Sequence, residues 1–238
     1  MKKWKKILLG ILVGIIGILL GGIFYLHTQM YSASDHAQKS AEQASVTNDW
    51  LYFSTKNKDN PIIIFYPGAL VDPASYSVWA EEVAQAGYPV YVMKMPLDLA
   101  VLSPNSGQKV LDENSNRSYI IGGHSLGGVM ASRFASEHSE KLKGVFFLAS
   151  YPDKKGSLKT SDLPVLSLTG SNDQVLDQTS YQEAKVYLPK ATEYKKIAGG
   201  NHAGFGAYGK QKGDGKSEIN NQNQQVAADL IEWLLTIR

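Results

Sequence analysis

The stretch Tyr119–Phe134 reads YIIGGHSLGGVMASRF. Inside it, Gly123-His124-Ser125-Leu126-Gly127 has the form G-x-S-x-G. A short apolar run that predicts a strand precedes it, and a string of small and apolar residues that predicts a helix follows. In that setting the turn is tight enough to strain the serine backbone, and glycine is needed two positions to either side. The hydroxyl then projects at the end of the strand, and the N-terminus of the next helix favours negative charge developing there. The pattern predicts Ser125 as a nucleophile. His124 takes the variable position and is expected to pack beside the turn.

A serine hydroxyl needs a base at neutral pH. Four other histidines are available. His27 and His36 lie in the N-terminal region, and His138 lies in the polar run SEHSEK. His202 lies in GGNHAGFG, just after the predicted strand Thr192–Ala198, where flanking glycines let a loop fold over the sheet. It is the expected base. A carboxylate must fix the tautomer of that imidazole. Asp173, in GSNDQV after the strand PVLSLT, is the expected acid, with Asp153 after GVFFLASYP as its rival. The chain order Ser125, Asp173, His202 suits acyl transfer on an open α/β sheet. Two backbone N–H groups should face the developing oxyanion: that of Leu126, after the nucleophile, and that of Ala69 in YPGAL.

The elements that must position these residues alternate. Strands are predicted at Trp50–Ser54, Pro61–Tyr66, Pro89–Met95, Tyr119–Ile121, Gly144–Ala149, Pro164–Thr169 and Thr192–Ala198. Helices are predicted at Ser75–Ala86, weakly at Val110–Asn114, then at Leu126–Glu137, Ser180–Leu188 and Val226–Ile237. Short β-branched strands alternating with amphipathic helices imply a mostly parallel sheet covered on both faces. Asn220–Gln225 (NNQNQQ) reads as a solvated lead-in to the last helix.

Taken together, YPGALVDPASY (66–76), AGYPVYVMKMPL (86–97), GGHSLGGVMASRFA (122–135), TGSNDQV (169–175) and GGNHAGFGAYG (199–209) resemble the α/β-hydrolase superfamily, and within it the dienelactone-hydrolase-like alpha/beta hydrolase fold-5 family. The resemblance implies an α/β-hydrolase fold and an esterase-type serine hydrolase with no cofactor. Dienelactone hydrolases proper use a cysteine nucleophile. This chain has none, so butenolide hydrolysis is not implied. Many relatives carry His-Gly where Tyr66-Pro67-Gly68 stands. Only about 14 residues, Ser150–Leu163, join the strands GVFFLA and PVLSLT, too few for a large lid. An open site for short acyl groups, or for substrates presented by a larger surface, is expected.

The chain has 238 residues, no cysteine and a formal net charge of +2. Four of its 24 basic residues fall in Met1–Lys6, which leaves 20 against 22 acidic ones. No basic cluster survives outside that tail, so no nucleic-acid partner is expected. Without cysteine there is no disulfide and no thiolate metal site, and no metal is expected. Ile7–Leu26 carries no charge, and twenty residues of helix span about 30 Å, the thickness of a bilayer core. The organisation expected is a cytoplasmic tail at 1–6, a transmembrane anchor at 7–26, a polar spacer at 27–46 and the hydrolase domain at 47–238. Lysines before the span place the N-terminus inside and the domain outside. The span is longer than the apolar region of an ordinary signal peptide, so it is expected to stay uncleaved. The expected substrate is a small-molecule or cell-envelope acyl compound. Two alternatives stand beside the ester hydrolase: an amidase or peptidase acting on cell-envelope material, and a non-catalytic surface binding protein with this fold.

Overall fold

The computed structural model describes residues 3–57 and 59–237, which divide after Met30 into two compact units. The first is one helix, α1 (Lys3–Thr28), long and apolar enough to cross a membrane. Its large side chains, Ile7 through Tyr25, are exposed.

The second unit is an eight-stranded sheet with helices on both faces. Its elements run α2 (Asp35–Ala41), β1 (Ser45–Val46), β2 (Trp50–Phe53), β3 (Ile62–Tyr66), α3 (Ser77–Gln85), β4 (Val90–Met93), α4 (Gly107–Glu113), β5 (Tyr119–His124), α5 (Leu126–Glu137), β6 (Leu142–Leu148), β7 (Val165–Gly170), α6 (Gln178–Ala184), β8 (Glu193–Ile197) and α7 (Gln222–Leu234). The strand order is β1-β2-β4-β3-β5-β6-β7-β8. The pairings β1–β2 and β2–β4 are antiparallel; from β4 to β8 every pairing is parallel. This is the α/β-hydrolase fold expected from the sequence.

Period-two alternation sorts the core onto two faces. In β3, Ile63 and Phe65 pack with Trp79 of α3 and Leu230 of α7. Ile62, Ile64 and Tyr66 pack with Val110 of α4 and Phe134 of α5. Both sets are fully buried, which is why IIIFY reads as a continuous apolar run. Ser150–Leu163 forms no helix or strand, as its length predicted.

Two readings change. The spacer expected at 27–46 belongs to the compact unit from Tyr31 onward. Tyr31 bridges Val71 in parallel, Ser34 caps α2, and Ala37 is fully buried with Ala33 and Val78. Alanine and serine contacts carry too little hydropathy contrast to show as a period, so the segment looked unstructured. The supposed lead-in NNQNQQ is mostly helix: α7 starts at Gln222, whose side chain is buried.

Candidate active site

Ser125 sits between β5 and α5 with φ 51° and ψ −125°, a conformation that costs strain in any residue with a Cβ and persists only where the surroundings enforce it. The surroundings here are the flanking glycines. A Cβ on Gly123 would stand 2.5 Å from the Gly127 and Gly128 main chain, and one on Gly127 would stand 2.2 Å from the carbonyl oxygens of Tyr66 and Pro67. The turn is therefore clamped onto the loop after β3.

His202 and Asp173 arrive on the loops after β8 and β7. The His202 Nδ1 lies 2.9 Å from Asp173 Oδ2, and both side chains are buried. A carboxylate only accepts, so Nδ1 carries the proton and the other ring nitrogen is left to accept one. The second carboxylate oxygen of Asp173 takes the Val175 and Leu176 N–H groups at 2.9 and 2.8 Å, which fixes its rotamer. Ser125 and His202 line one cavity of about 240 Å³ with Leu126, Val129, Tyr151 and Leu176. Larger hollows exist, one of about 550 Å³ around Arg117 and His138 and one of about 600 Å³ between Asn201 and Asn223, but Ser125 lines neither.

The rival acid, Asp153, is occupied elsewhere. It takes a forked ion pair from Arg133 and the Gly156 N–H at 3.0 Å. Burial opposes its ionisation, but the hydrogen bonds and charge of Arg133 together with the Gly156 and Lys155 N–H groups outweigh that and hold its carboxyl below the usual range.

The expected oxyanion donors separate. Leu126 lines the cavity and Ala69 does not. Yet the clamp at Gly127 holds the loop of Ala69 against the turn. Along that loop the Gly68 N–H donates to the Tyr76 hydroxyl at 2.9 Å and the Leu70 N–H to the Asp98 carbonyl at 2.8 Å. Among the described residues, the N–H groups of Ala69 and Leu126 meet no hydrogen-bond acceptor.

Three residues escaped the sequence reading. Tyr76 stands 2.9 Å from the His124 Nδ1 while accepting from Gly68. Asp214 takes the N–H groups of His202 and Ala203 at 3.2 and 2.8 Å and that of Gln174 at 3.4 Å, so one carboxylate ties the loop of His202 to the loop of Asp173. Gln222 exchanges two hydrogen bonds with the Asn201 main chain. The only hint of Asp214 in the sequence was its place between two glycines, Gly213 and Gly215.

Residues 62–226 match the sequence profile of the alpha/beta hydrolase family. The chain belongs to the alpha/beta hydrolase family. No curated protein sequence matches it. Solved structures similar to this family member share its fold at low identity. A dienelactone hydrolase from Anabaena variabilis is 16% identical, with a TM-score of 0.59 over 79% of this chain and 91% of its own. The esterase domain of a Rhodothermus marinus protein is 11% identical, with a TM-score of 0.62 over 79% and 92%. A monoacylglycerol lipase from Paleococcus ferrophilus is 16% identical, with a TM-score of 0.57 over 79% and 98%. Family membership supports a hydrolase function, and these neighbours show the fold.

Proposed function

We propose that this protein is a membrane-anchored serine hydrolase of carboxylic esters, with Ser125 as nucleophile, His202 as base and Asp173 as the carboxylate that orients it. One observation carries the reading: the strained Ser125 shares a cavity with a His202 whose Nδ1 is committed to a buried carboxylate. In the first half-reaction the Ser125 Oγ bonds to the ester carbonyl carbon, and its proton passes to the free nitrogen of His202. The N–H groups of Leu126 and Ala69 take the developing oxyanion. The C–O bond then breaks and His202 returns the proton to the leaving alcohol. In the second, water gives a proton to His202 and its hydroxyl to the acyl carbon. The acid leaves and Ser125 regains its proton. None of these steps calls on a metal or a cofactor. α1 would be the anchor, with the hydrolase unit outside.

A fluorophosphonate probe on the full chain tests the nucleophile: wild type should label at Ser125 and turn over short p-nitrophenyl esters, whereas Ser125→Ala should do neither. Wild-type protein that does not label would end the reading. Protease added to intact cells should digest the hydrolase unit, and full protection would overturn the orientation.

A further inference from the structure

We propose that the segment after β4 docks into a lipid bilayer and that the ester cleaved is one borne by the membrane, a proposal that rests on the hydrolase reading for its substrate half. The second unit exposes few large apolar side chains, and three of them fall within six residues: Leu97, Val101 and Leu102, which are 40%, 48% and 54% exposed. Leu97 is held at φ 54° and Asp98 at φ 51°. An exposed left-handed position would be relaxed by glycine or asparagine; a leucine kept there points to a use for its side chain in solvent.

The segment is anchored where the chemistry is. β3, β4 and β5 run parallel, so it leaves the sheet at the same edge as Ser125. The Asp98 carbonyl takes the Leu70 N–H, one residue beyond Ala69. The Pro104 carbonyl takes the Tyr66 hydroxyl at the end of β3. Ala100 is buried among Met130 and Ala131 of α5, the helix that follows Ser125, and its neighbours Val101 and Leu102 are exposed.

The chain enters the unit at the same loop. Tyr31 donates its N–H to the Leu70 carbonyl at 2.7 Å, and its own carbonyl takes the Asp72 N–H at 3.0 Å. Only Gln29 and Met30 separate Tyr31 from the last residue of α1 in the chain. A helix long and apolar enough to cross a membrane that ends three residues before Tyr31 marks a bilayer as the occupant. Three side chains are also too few for a specific protein interface, which needs roughly 1,000 Å². Asp98 lies within the patch, with Asp72 near enough to raise its carboxyl further, so the patch does not call for anionic lipid and zwitterionic lipid serves. With no lid in Ser150–Leu163, a cavity of about 240 Å³ takes the ester end of such a lipid while its chain stays in the bilayer.

The absence of native cysteine makes a direct test available. Full-length Val101→Cys and Val186→Cys proteins, each carrying an environment-sensitive fluorophore, are placed in phosphatidylcholine vesicles containing spin-labelled phosphatidylcholine. Val186 is exposed and precedes β8, at the opposite edge of the sheet. Quenching at 101 at least threefold stronger than at 186 is expected; equal or absent quenching at 101 overturns the docking. In the same vesicles, Val101→Asp/Leu102→Asp should turn over monoolein about tenfold more slowly and p-nitrophenyl acetate within twofold of wild type. Unchanged monoolein turnover overturns the substrate class. Quenching at 101 without fluorophosphonate labelling of the wild type would sink the hydrolase reading and leave docking standing.

Discussion

The imidazole rings of His124 and His202 lie with centroids 4.6 Å apart and planes tilted by 44°. His124 is fully buried, and burial first, then the neighbouring His202, pushes its pKa well below the ordinary value. It is therefore a neutral ring. Burial also keeps the Tyr76 phenol protonated. Since Tyr76 already accepts from Gly68, its proton goes to the His124 Nδ1, and the His124 hydrogen sits on Nε2. One chain of contacts thus runs from the loop of Ala69 through Tyr76 and His124 to His202.

That chain gives a pH signature. The unfolded protein takes up a proton on His124 below about pH 6.5, the ordinary value for histidine, and the folded protein resists it. The unfolded state then binds more protons, so this part of the stability is complete above pH 6.5 and is lost as the pH falls. His124→Phe should flatten the fall in Tm between pH 7.5 and 5.5. At pH 7.5 it should cost about 1–3 kcal/mol, because Tyr76 loses its acceptor. Parallel Tm curves for the two proteins would contradict the neutral-ring assignment.

Asp98 titrates in the opposite sense. Burial first, then Asp72, raises its carboxyl from 3.8 to about 6. The folded state here holds the proton more tightly, so stability is lost as the pH rises from 3.8 through 6. Asp98→Asn removes that loss and also suits the left-handed backbone. After discounting for a half-exposed site, we expect a gain of about 1 kcal/mol at pH 7.5, shrinking towards pH 4. Urea unfolding at the two pH values measures it.

For turnover of a short p-nitrophenyl ester, Ser125→Ala and His202→Ala should each cost several orders of magnitude, and the double variant little more, because the groups act as a unit. Asp173→Asn should cost about 10⁴, since an amide holds the wrong tautomer. Asp153→Asn should leave kcat within twofold and lower stability by less than about 1 kcal/mol, as its pair with Arg133 is about one-third exposed. Damage from Asp153→Asn with Asp173→Asn tolerated would reverse the assignment.

Asp214 does not line the cavity of Ser125, yet it bridges the loops of His202 and Gln174. Asp214→Ala should lower kcat about tenfold and slow fluorophosphonate labelling in proportion. Asp214→Asn keeps one acceptor oxygen and should recover part of both. Equal rates for the alanine variant and wild type would show that the loops hold without it.

A chain beginning at Tyr31 should fold and stay soluble, and one beginning at 47 should be less stable by at least ~2 kcal/mol. The shorter chain loses α2, whose Ala37 is fully buried, and uncovers Val78. Urea midpoints of the two truncations decide this, and equal midpoints would restore the boundary at 47.

The sequence by itself determined the fold class and the position of Ser125. Strand periodicity, the glycines two positions either side of the serine and the alternation of elements are local, and each follows from steric or hydrophobic patterns within a few residues. It narrowed the candidate base and acid to His202 and Asp173 by their place after strands, but left Asp153 as a rival. The tertiary structure decided what depends on distant residues meeting. Arg133 claims Asp153 across 20 residues, and Asp173 reaches His202 across 29. The Tyr76–His124 contact spans 48 residues, and Gln222 folds back 21 residues to hold Asn201. A hydrogen bond depends on two orientations that only the packed sheet sets together, so none of these pairings leaves a period or a motif in the chain. The segment 31–46 stayed hidden for the same reason: its burial comes from small residues meeting α3, not from a hydrophobic stripe of its own.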